Sequence, residues 1–153
     1  MKQIKVGDKT IDFAIDDQNE KQFTLSDFEG RMILLSFHPL AWTSVCARQM
    51  QSLETNKKYL DALNTIAVGI SVDPTPSKKA WAKELGIKRT RLLSDFWPHG
   101  IVAQKYGIFN EIDGISKRAN IIVDEKQRII FVKIYPPAQL PDMKEIIQFL
   151  RKK

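Results

Sequence analysis

The sequence predicts an α/β fold in which a central mixed β-sheet is flanked by helices. Met32–Phe37 is a continuous apolar run, as expected for a strand buried on both faces. Further apolar segments alternate with helical patterns, and the last two, Ala119–Val123 and Ile129–Tyr135, are spaced like a hairpin. With 153 residues and no linker or repeat, we predict one domain spanning residues 1–153.

The chain is predicted to begin with a short β-rich segment. Ile4–Phe13 and Gln22–Thr24 are expected strands, with the polar run Asp16–Asn19 as the turn between them. Ser26–Gly30 is predicted to be a small turn that ends on its glycine. The buried strand described above follows directly.

A proline marks the end of that strand, because proline cannot donate to a strand ladder. His38 and Pro39 therefore begin a loop, and a helix is predicted from about Val45 to Leu60. The hydroxyl of Thr43 or Ser44 can cap this helix by accepting hydrogen bonds from first-turn amides.

The rest of the chain continues the alternation of strands and helices. The predicted elements are a strand over Thr65–Val72, a helix capped by Ser77 that runs to Leu85 and ends at Gly86, a short strand at Leu92–Leu93, a helix from Trp97 to Tyr106, the hairpin strands, and a helix from Pro141 to Arg151. A mixed central sheet of the thioredoxin type accounts for this order.

Charge and hydropathy exclude several classes of function. The net charge is +6, but the basic residues are scattered and lack interleaved aromatics, so we predict no nucleic-acid binding. No apolar run approaches the roughly 20 residues that span a bilayer, so no membrane association is expected. Lys2 and Lys5 are not followed by the apolar core of a signal peptide, which predicts a cytoplasmic protein.

Cys46 is the single cysteine of the chain. An intramolecular disulfide and a site of several thiolates are therefore excluded, and with only His38 and His99 beside it no metal or cofactor is predicted. A free cysteine is commonly a small buried hydrophobe. Its position favours a second interpretation, since the first turn of a helix offers unpaired amides and a positive dipole that stabilise a reactive thiolate.

Two residues before Cys46 have alternative interpretations. The Thr43 hydroxyl can donate to the thiolate or to a peroxide oxygen, or it can only cap the helix. Pro39 can shield the thiolate from water and stiffen the loop, or it can simply end the strand.

The pattern Pro39-x-x-x-Thr43-x-x-Cys46, placed between an apolar strand and a helix, resembles the active-site signature of the peroxiredoxins. The resemblance covers roughly Val6 to Leu150. Further similar segments are Ser71-Val72-Asp73, Leu92-Leu93-Ser94-Asp95, Tyr106-Gly107 and Arg118, six residues before Asp124. The segment from Ser94 to Gly100 is similar to the bacterial alkyl hydroperoxide reductase E-like branch of this family.

The resemblance implies a thioredoxin-like fold and a thiol peroxidase without a cofactor. Arg118 then stands at the family's second catalytic position, where a guanidinium can hydrogen-bond thiolate and peroxide. Gln49 replaces a frequent glutamate and can hold Arg118 through its carbonyl oxygen, and Ser44 replaces a frequent proline.

Other residues of the same segment are expected to support the site. Trp42 and Val45 are predicted to line the substrate pocket. His38 can orient or protonate groups there, or it can be a strand-end residue bonded to backbone. Phe96 and Trp97 resemble residues near a dimer face of the family, although core packing fits them equally well.

The expected reaction is the reduction of a hydroperoxide by Cys46, which becomes a sulfenic acid. With no second cysteine, an external thiol, either a small thiol or a thioredoxin- or glutaredoxin-like protein, must restore it, and the resemblance implies a homodimer. Two alternatives remain open: a redox sensor or thiol-binding module that is oxidised once at Cys46, and a structural or nucleic-acid-binding protein with an inert thiol. A disulfide reductase is disfavoured because it needs a second cysteine.

Overall fold

A five-stranded mixed sheet forms the centre of the molecule. The computed structural model describes residues 2–153; Met1, the first residue of the predicted domain, lies outside the described residues. The strands are β1 (Ala14–Asp16), β2 (Gln22–Thr24), β3 (Met32–Phe37), β4 (Thr65–Ser71), β5 (Arg91–Ser94), β6 (Phe109–Asn110), β7 (Ile115–Ser116), β8 (Arg118–Val123) and β9 (Ile129–Tyr135). The helices are α1 (Ser44–Thr55), α2 (Lys57–Ala62), α3 (Thr75–Leu85), α4 (Ile101–Lys105) and α5 (Met143–Arg151).

The order of strands in the central sheet is β5-β4-β3-β8-β9. β3, β4 and β5 are parallel, whereas β8 pairs antiparallel with β3 and β9 pairs antiparallel with β8. The parallel connections contain helices, because a crossover must pass over a face of the sheet. The predicted mixed sheet and its late antiparallel hairpin are confirmed.

β3 lies in the middle of this sheet, and all six of its residues are buried. Side chains alternate between the faces of a strand. Ile33, Leu35 and Phe37 accordingly pack into the core on one face, while Met32 and Leu34 pack into the core on the other, which also contains Cys46. The continuous apolar run is thus explained by two cores that share one strand.

The N-terminal segment differs from the prediction. Ile4–Phe13 does not form a strand. It meets the β8–β9 hairpin through one isolated bridge, between Lys9 and Arg128, and through a few backbone hydrogen bonds to Ile129 and Gln127. The amide of Ile4 donates to the Tyr106 carbonyl, and Gly7 follows with a φ of 98°. The segment is held by separate contacts and by its buried apolar side chains rather than by a ladder.

The predicted helix over Val45–Leu60 is wrong in one respect, because the structure divides it into α1 and α2. The break is at Asn56, whose side chain donates to the Ser52 carbonyl at 2.8 Å and so competes with regular helical bonding. Ser77 does not cap α3, since Pro74 precedes the helix and Ser77 lies inside it.

The other helix boundaries agree more closely. Gly86 ends α3 in the left-handed conformation, with a φ of 71°, as predicted. α4 is shorter than the predicted Trp97–Tyr106 helix, and the small β6–β7 hairpin was missed because each strand has only two residues. No helix within residues 2–153 is long and apolar enough to cross a membrane.

Replacing Gly107 with alanine is expected to destabilise the fold by about 3 kcal/mol, the sum of left-handed strain and a steric clash. Gly107 has a φ of 70°, and a Cβ there would meet the backbone of Lys2 and Gln3. Gly86→Ala is the matched control, because a Cβ at that equally left-handed position meets nothing within 4 Å. It should lose only about 1 kcal/mol. Urea unfolding measures both values, and equal losses would contradict the proposed clash.

Candidate active site

Cys46 lies in the first turn of α1, after the loop that follows β3. Amides at a helix start have no acceptor within the helix, and the helix dipole is positive there. Thr43 precedes the helix, but its side chain makes no capping bond; the hydroxyl donates to the Leu40 carbonyl at 2.7 Å. The capping role considered for Thr43 is therefore wrong, and its oxygen lone pairs remain free to accept a hydrogen bond.

The guanidinium of Arg118 is the charged group that contacts the sulfur. Its Nη1 donates to Cys46 Sγ at 3.3 Å and to Gln49 Oε1 at 2.7 Å. Its Nη2 and Nε both donate to the carbonyl of Pro137, at 2.8 and 3.2 Å. Cys46 is 1% exposed and Arg118 is 4% exposed, so the contact is largely shielded from water, which strengthens it.

Sheet register explains how a residue so distant in sequence reaches Cys46. Phe37, the last residue of β3, is paired with Ala119 of the antiparallel β8. Arg118 therefore lies level with the end of β3, where the chain turns toward α1. The end of β3 meets the start of β8 because the two strands run in opposite directions.

Gln49 holds the guanidinium from the neighbouring turn of α1. Its Nε2 donates to Ser36 Oγ at 2.8 Å and to the Phe37 carbonyl at 3.1 Å, while its Oε1 accepts from Arg118. Both ends of the amide are thus bonded, and its orientation is defined. A glutamate at this position would lack the two donated hydrogen bonds.

A buried polar chain extends this contact through the sheet. Ser36 Oγ donates to Asn120 Oδ1 at 2.8 Å, and these two residues face each other across β3 and β8. Asn120 Nδ2 lies 3.4 Å from the Tyr135 hydroxyl, which donates to Glu145 of α5. Burial raises the pKa of Tyr135, so the phenol remains protonated.

The loop between β3 and α1 is fixed by α3 and by the end of β4. Asp73 Oδ2 accepts from the Ala41 amide at 2.8 Å and from Ser71 Oγ at 2.6 Å. The Trp42 indole donates to Ser77 Oγ at 3.0 Å, and Trp42 has a φ of 68°, which is unfavourable for a bulky residue. The Ser71-Val72-Asp73 segment thus anchors the loop that carries the candidate site.

A lysine and a histidine are fully buried beside this site. Lys78 Nζ of α3 lies 2.9 Å from His38 Nε2, and both residues are 0% exposed. Both also pack on Trp81: the rings of His38 and Trp81 are 5.3 Å apart, and Lys78 Nζ is 5.9 Å from the indole centre. The backbone contacts expected for His38 exist, but its ring bonds to Lys78 instead.

Burial sets the charge state of this pair. Burial lowers the pKa of His38 well below its usual value, and the cations Lys78 and Arg118 lower it further, so the imidazole is neutral. Burial also lowers the pKa of Lys78 from 10.5 to about 7, against the opposing charges of Asp73, Cys46 and Asp95.

The structure brings together some of the sequence-predicted residues more tightly than others. Cys46, Arg118 and Gln49 are in direct contact. Thr43 and Trp42 are exposed, whereas Pro39 and Val45 are half-buried at the start of the same loop and helix. The residues missed were Ser36, Asn120 and Lys78. Ser36 and Asn120 could have been found in the sequence, because each is a polar residue within an apolar strand. Lys78 could not, because a lysine in a helix is an ordinary surface residue.

The chain is similar to several known proteins. The profile of the AhpC/TSA family matches residues 6–132. Alkyl hydroperoxide reductase E of Mycobacterium tuberculosis is 38% identical over 142 residues, 92% of each chain. A thiol peroxidase of Streptococcus agalactiae is 30% identical over 86% of this chain and 79% of its own. The crystal structure of Enterococcus faecalis AhpC superposes with a TM-score of 0.88 at 24% identity, covering 96% of this chain and 90% of that chain.

Replacing Lys78 with methionine should stabilise the protein at neutral pH by several kcal/mol, because the buried amine has a pKa of about 7 instead of 10.5. The unfolded chain binds this proton more tightly, so the stability of the natural protein should rise from about pH 7 to about pH 10 and approach that of the variant. Urea unfolding across this range measures the difference. The exposed Lys79→Met variant is the control and should track the natural protein. A constant Lys78→Met difference across this range would contradict the buried titration.

Proposed function

Since this chain belongs to the AhpC/TSA family, we propose that it is a thiol-dependent peroxidase that reduces hydrogen peroxide and organic hydroperoxides through Cys46. The observation that carries this proposal is the contact of Arg118 Nη1 with Cys46 Sγ, 3.3 Å, in a site where both residues are buried. The whole chain is proposed to act as one domain, since α1 supplies Cys46 and β8 supplies Arg118.

The reaction is a displacement on the O–O bond. The thiolate of Cys46 attacks one peroxide oxygen, the S–O bond forms, and the O–O bond breaks. The products are a sulfenic acid and an alkoxide or hydroxide that takes up a proton. Negative charge moves from sulfur to the leaving oxygen, so a fixed cation beside both atoms stabilises the transition state more than the ground state.

Arg118 supplies that cation without having to reorganise. Its four hydrogen bonds to Cys46, Gln49 and Pro137 hold the guanidinium in place before a peroxide arrives. Preorganised donors in a dry site are typical of transition-state stabilisation. Gln49 has a positioning role, because it contacts the guanidinium rather than the sulfur.

The loop residues are proposed to bind the peroxide. The Thr43 hydroxyl already donates to the Leu40 carbonyl, so it can accept the hydrogen of the peroxide O–H. This polarity directs the protonated oxygen toward Thr43. Pro39, Trp42 and Val45 are proposed to shape the approach to the sulfur and to limit water.

Regeneration needs a thiol from outside the chain, because the sequence has one cysteine. A small thiol or a thioredoxin- or glutaredoxin-like protein is the proposed reductant, and a reducing compartment such as the cytoplasm suits a free thiol. Repeated turnover with such a reductant separates an enzyme from a sensor that is oxidised once.

A homodimer is proposed on the face that carries the exposed aromatic residues. Trp97 is 80% exposed, Trp42 is 55% exposed and Phe96 is 48% exposed. This exposure excludes the core packing considered for Phe96 and Trp97. Aromatic residues are enriched in protein interfaces, and Phe96 and Trp97 border a groove lined by Pro74 and Pro76. A second copy of this chain is the proposed partner.

Cys46→Ser should abolish peroxide reduction, and Arg118→Lys should slow oxidation of Cys46 by about 100-fold, the usual cost of one lost transition-state donor. Lysine keeps the charge but cannot contact Cys46, Gln49 and Pro137 together. Stopped-flow mixing with hydrogen peroxide and with an organic hydroperoxide, quenched for mass spectrometry, measures the rate.

The exposed neighbour Lys117 provides the matched control, since Lys117→Ala removes a charge outside the contact. A natural protein no faster than free cysteine would overturn the proposed function. A full rate in Arg118→Lys would overturn the role of the guanidinium alone.

Trp97→Glu should shift the protein from dimer to monomer, because it places a charge in the centre of the proposed interface. Tyr59→Glu is the control: Tyr59 is 43% exposed on α2. This helix leads into the start of β4, whereas Cys46 follows the end of the parallel strand β3, so the two residues lie at opposite ends of the strands. Sedimentation velocity measures the mass of each. A monomeric natural protein, or a dimer that survives Trp97→Glu, would count against this interface.

A further inference from the structure

Lys78 is a buried amine without a carboxylate partner. It is 0% exposed, and within residues 2–153 its Nζ has one hydrogen bond, to His38 Nε2 at 2.9 Å, and no acidic oxygen within salt-bridge distance. Burying a cation without a paired anion is costly. Such groups are concentrated at functional sites, and the reaction described above does not yet use this one.

Three groups on different elements, Asp73, Asp95 and Cys46, act on Lys78 through their negative charge, and only one of them changes during the reaction. Asp73, after β4, is bonded to the Ala41 amide and to Ser71. Asp95, after β5, accepts from the amides at the start of α4 at 3.0 Å. Both carboxylates are held by these bonds, whereas Cys46 of α1 loses its charge on oxidation.

The remaining charged neighbour is positive. Burial, together with Lys78 and with Arg118 of β8, keeps the His38 imidazole neutral by lowering its pKa. The Lys78 ammonium donates to Nε2, so the ring hydrogen is on Nδ1, which is buried and has no partner in the described part of the chain. His38 is therefore a neutral imidazole with one nitrogen on the amine and one unbonded N–H, adjacent to Pro39 of the site.

The reaction consumes one proton. A thiolate and a hydroperoxide give a sulfenic acid and an alkoxide, and the alkoxide becomes an alcohol only when a proton arrives. No electrons beyond those of the sulfur are needed. When the Cys46 thiolate is oxidised, its negative charge near Lys78 disappears. The protonated form of the Lys78 amine is then less stable relative to the neutral form.

We propose that Lys78 holds the proton that the leaving oxygen needs and releases it through His38 when Cys46 loses its negative charge. In this step an N–H bond of Lys78 breaks, His38 Nε2 gains that proton, and the proton on Nδ1 passes to the alkoxide. Lys78 ends as a neutral amine, and reduction of Cys46 restores it. This inference rests on the proposed function.

Proton uptake from solution tests the proposal. The reduced full-length protein is mixed with one equivalent of hydrogen peroxide in weakly buffered solution near neutral pH, and a pH indicator counts the protons taken up. Ultraviolet thiolate absorbance counts the thiolate consumed. The natural protein should take up well below one proton per thiolate, and Lys78→Met about one, because solvent must then supply the missing proton.

Two further variants distinguish the loss of a titratable group at position 78 from a change in side-chain packing. Lys78→Gln keeps a donor for His38 but cannot titrate, and it should also take up about one proton. The exposed Lys79→Met should behave as the natural protein. A role of Lys78 in packing alone would not change the number of protons.

The outcomes distinguish the two proposals. Rapid oxidation of the natural protein, with the same proton uptake in the natural protein as in Lys78→Met and Lys78→Gln, would overturn the role of Lys78 and leave the peroxidase intact. Oxidation no faster than that of free cysteine would overturn the peroxidase itself. Low uptake in the natural protein, with about one proton in both variants, supports the inference.

Discussion

The guanidinium of Arg118, at the start of β8, connects two parts of the chain that are distant in sequence, α1 and the loop after β9. It donates to Cys46 at the start of α1, to Gln49 one turn later, and to the Pro137 carbonyl in the loop after β9. Burying a charge is costly unless its donors are satisfied. The antiparallel pairing of β8 with β3, the rotamer of Gln49 and the path of the chain beyond β9 are therefore all constrained by one side chain.

The same constraint explains why so much polar structure lies inside an apolar sheet. Gln49 is held by Ser36, Ser36 by Asn120, and the chain of hydrogen bonds continues to the hydroxyl of Tyr135. Each side chain in this series forms a hydrogen bond with the next one. Polar atoms can be buried without a large loss of stability when they are hydrogen-bonded in this way. The sulfur of Cys46 consequently lies in a buried, hydrogen-bonded setting, where electrostatic interactions are strong.

Sequence reasoning succeeded where the signal was local. The apolar run of β3, the end of α3 at Gly86 and the position of Cys46 after a buried strand were all readable, because periodicity, glycine and proline act on neighbouring residues. It failed where local and tertiary preferences compete. Asn56 divides a helix that has a continuous apolar stripe, and the segment before β1 is held by scattered contacts rather than a ladder.

The sequence by itself determined the fold class, the family and the one possible thiol nucleophile, because these depend on residue types and their spacing along the chain. Tertiary structure alone decided the partners of that thiol. Gln49 was expected to hold Arg118, but its orientation depends on Ser36 in another element. The contact of Lys78 with His38 joins residues 40 positions apart, and no periodicity relates them. Burial then decides their charge, since the same amine on an exposed helix face would be an ordinary cation.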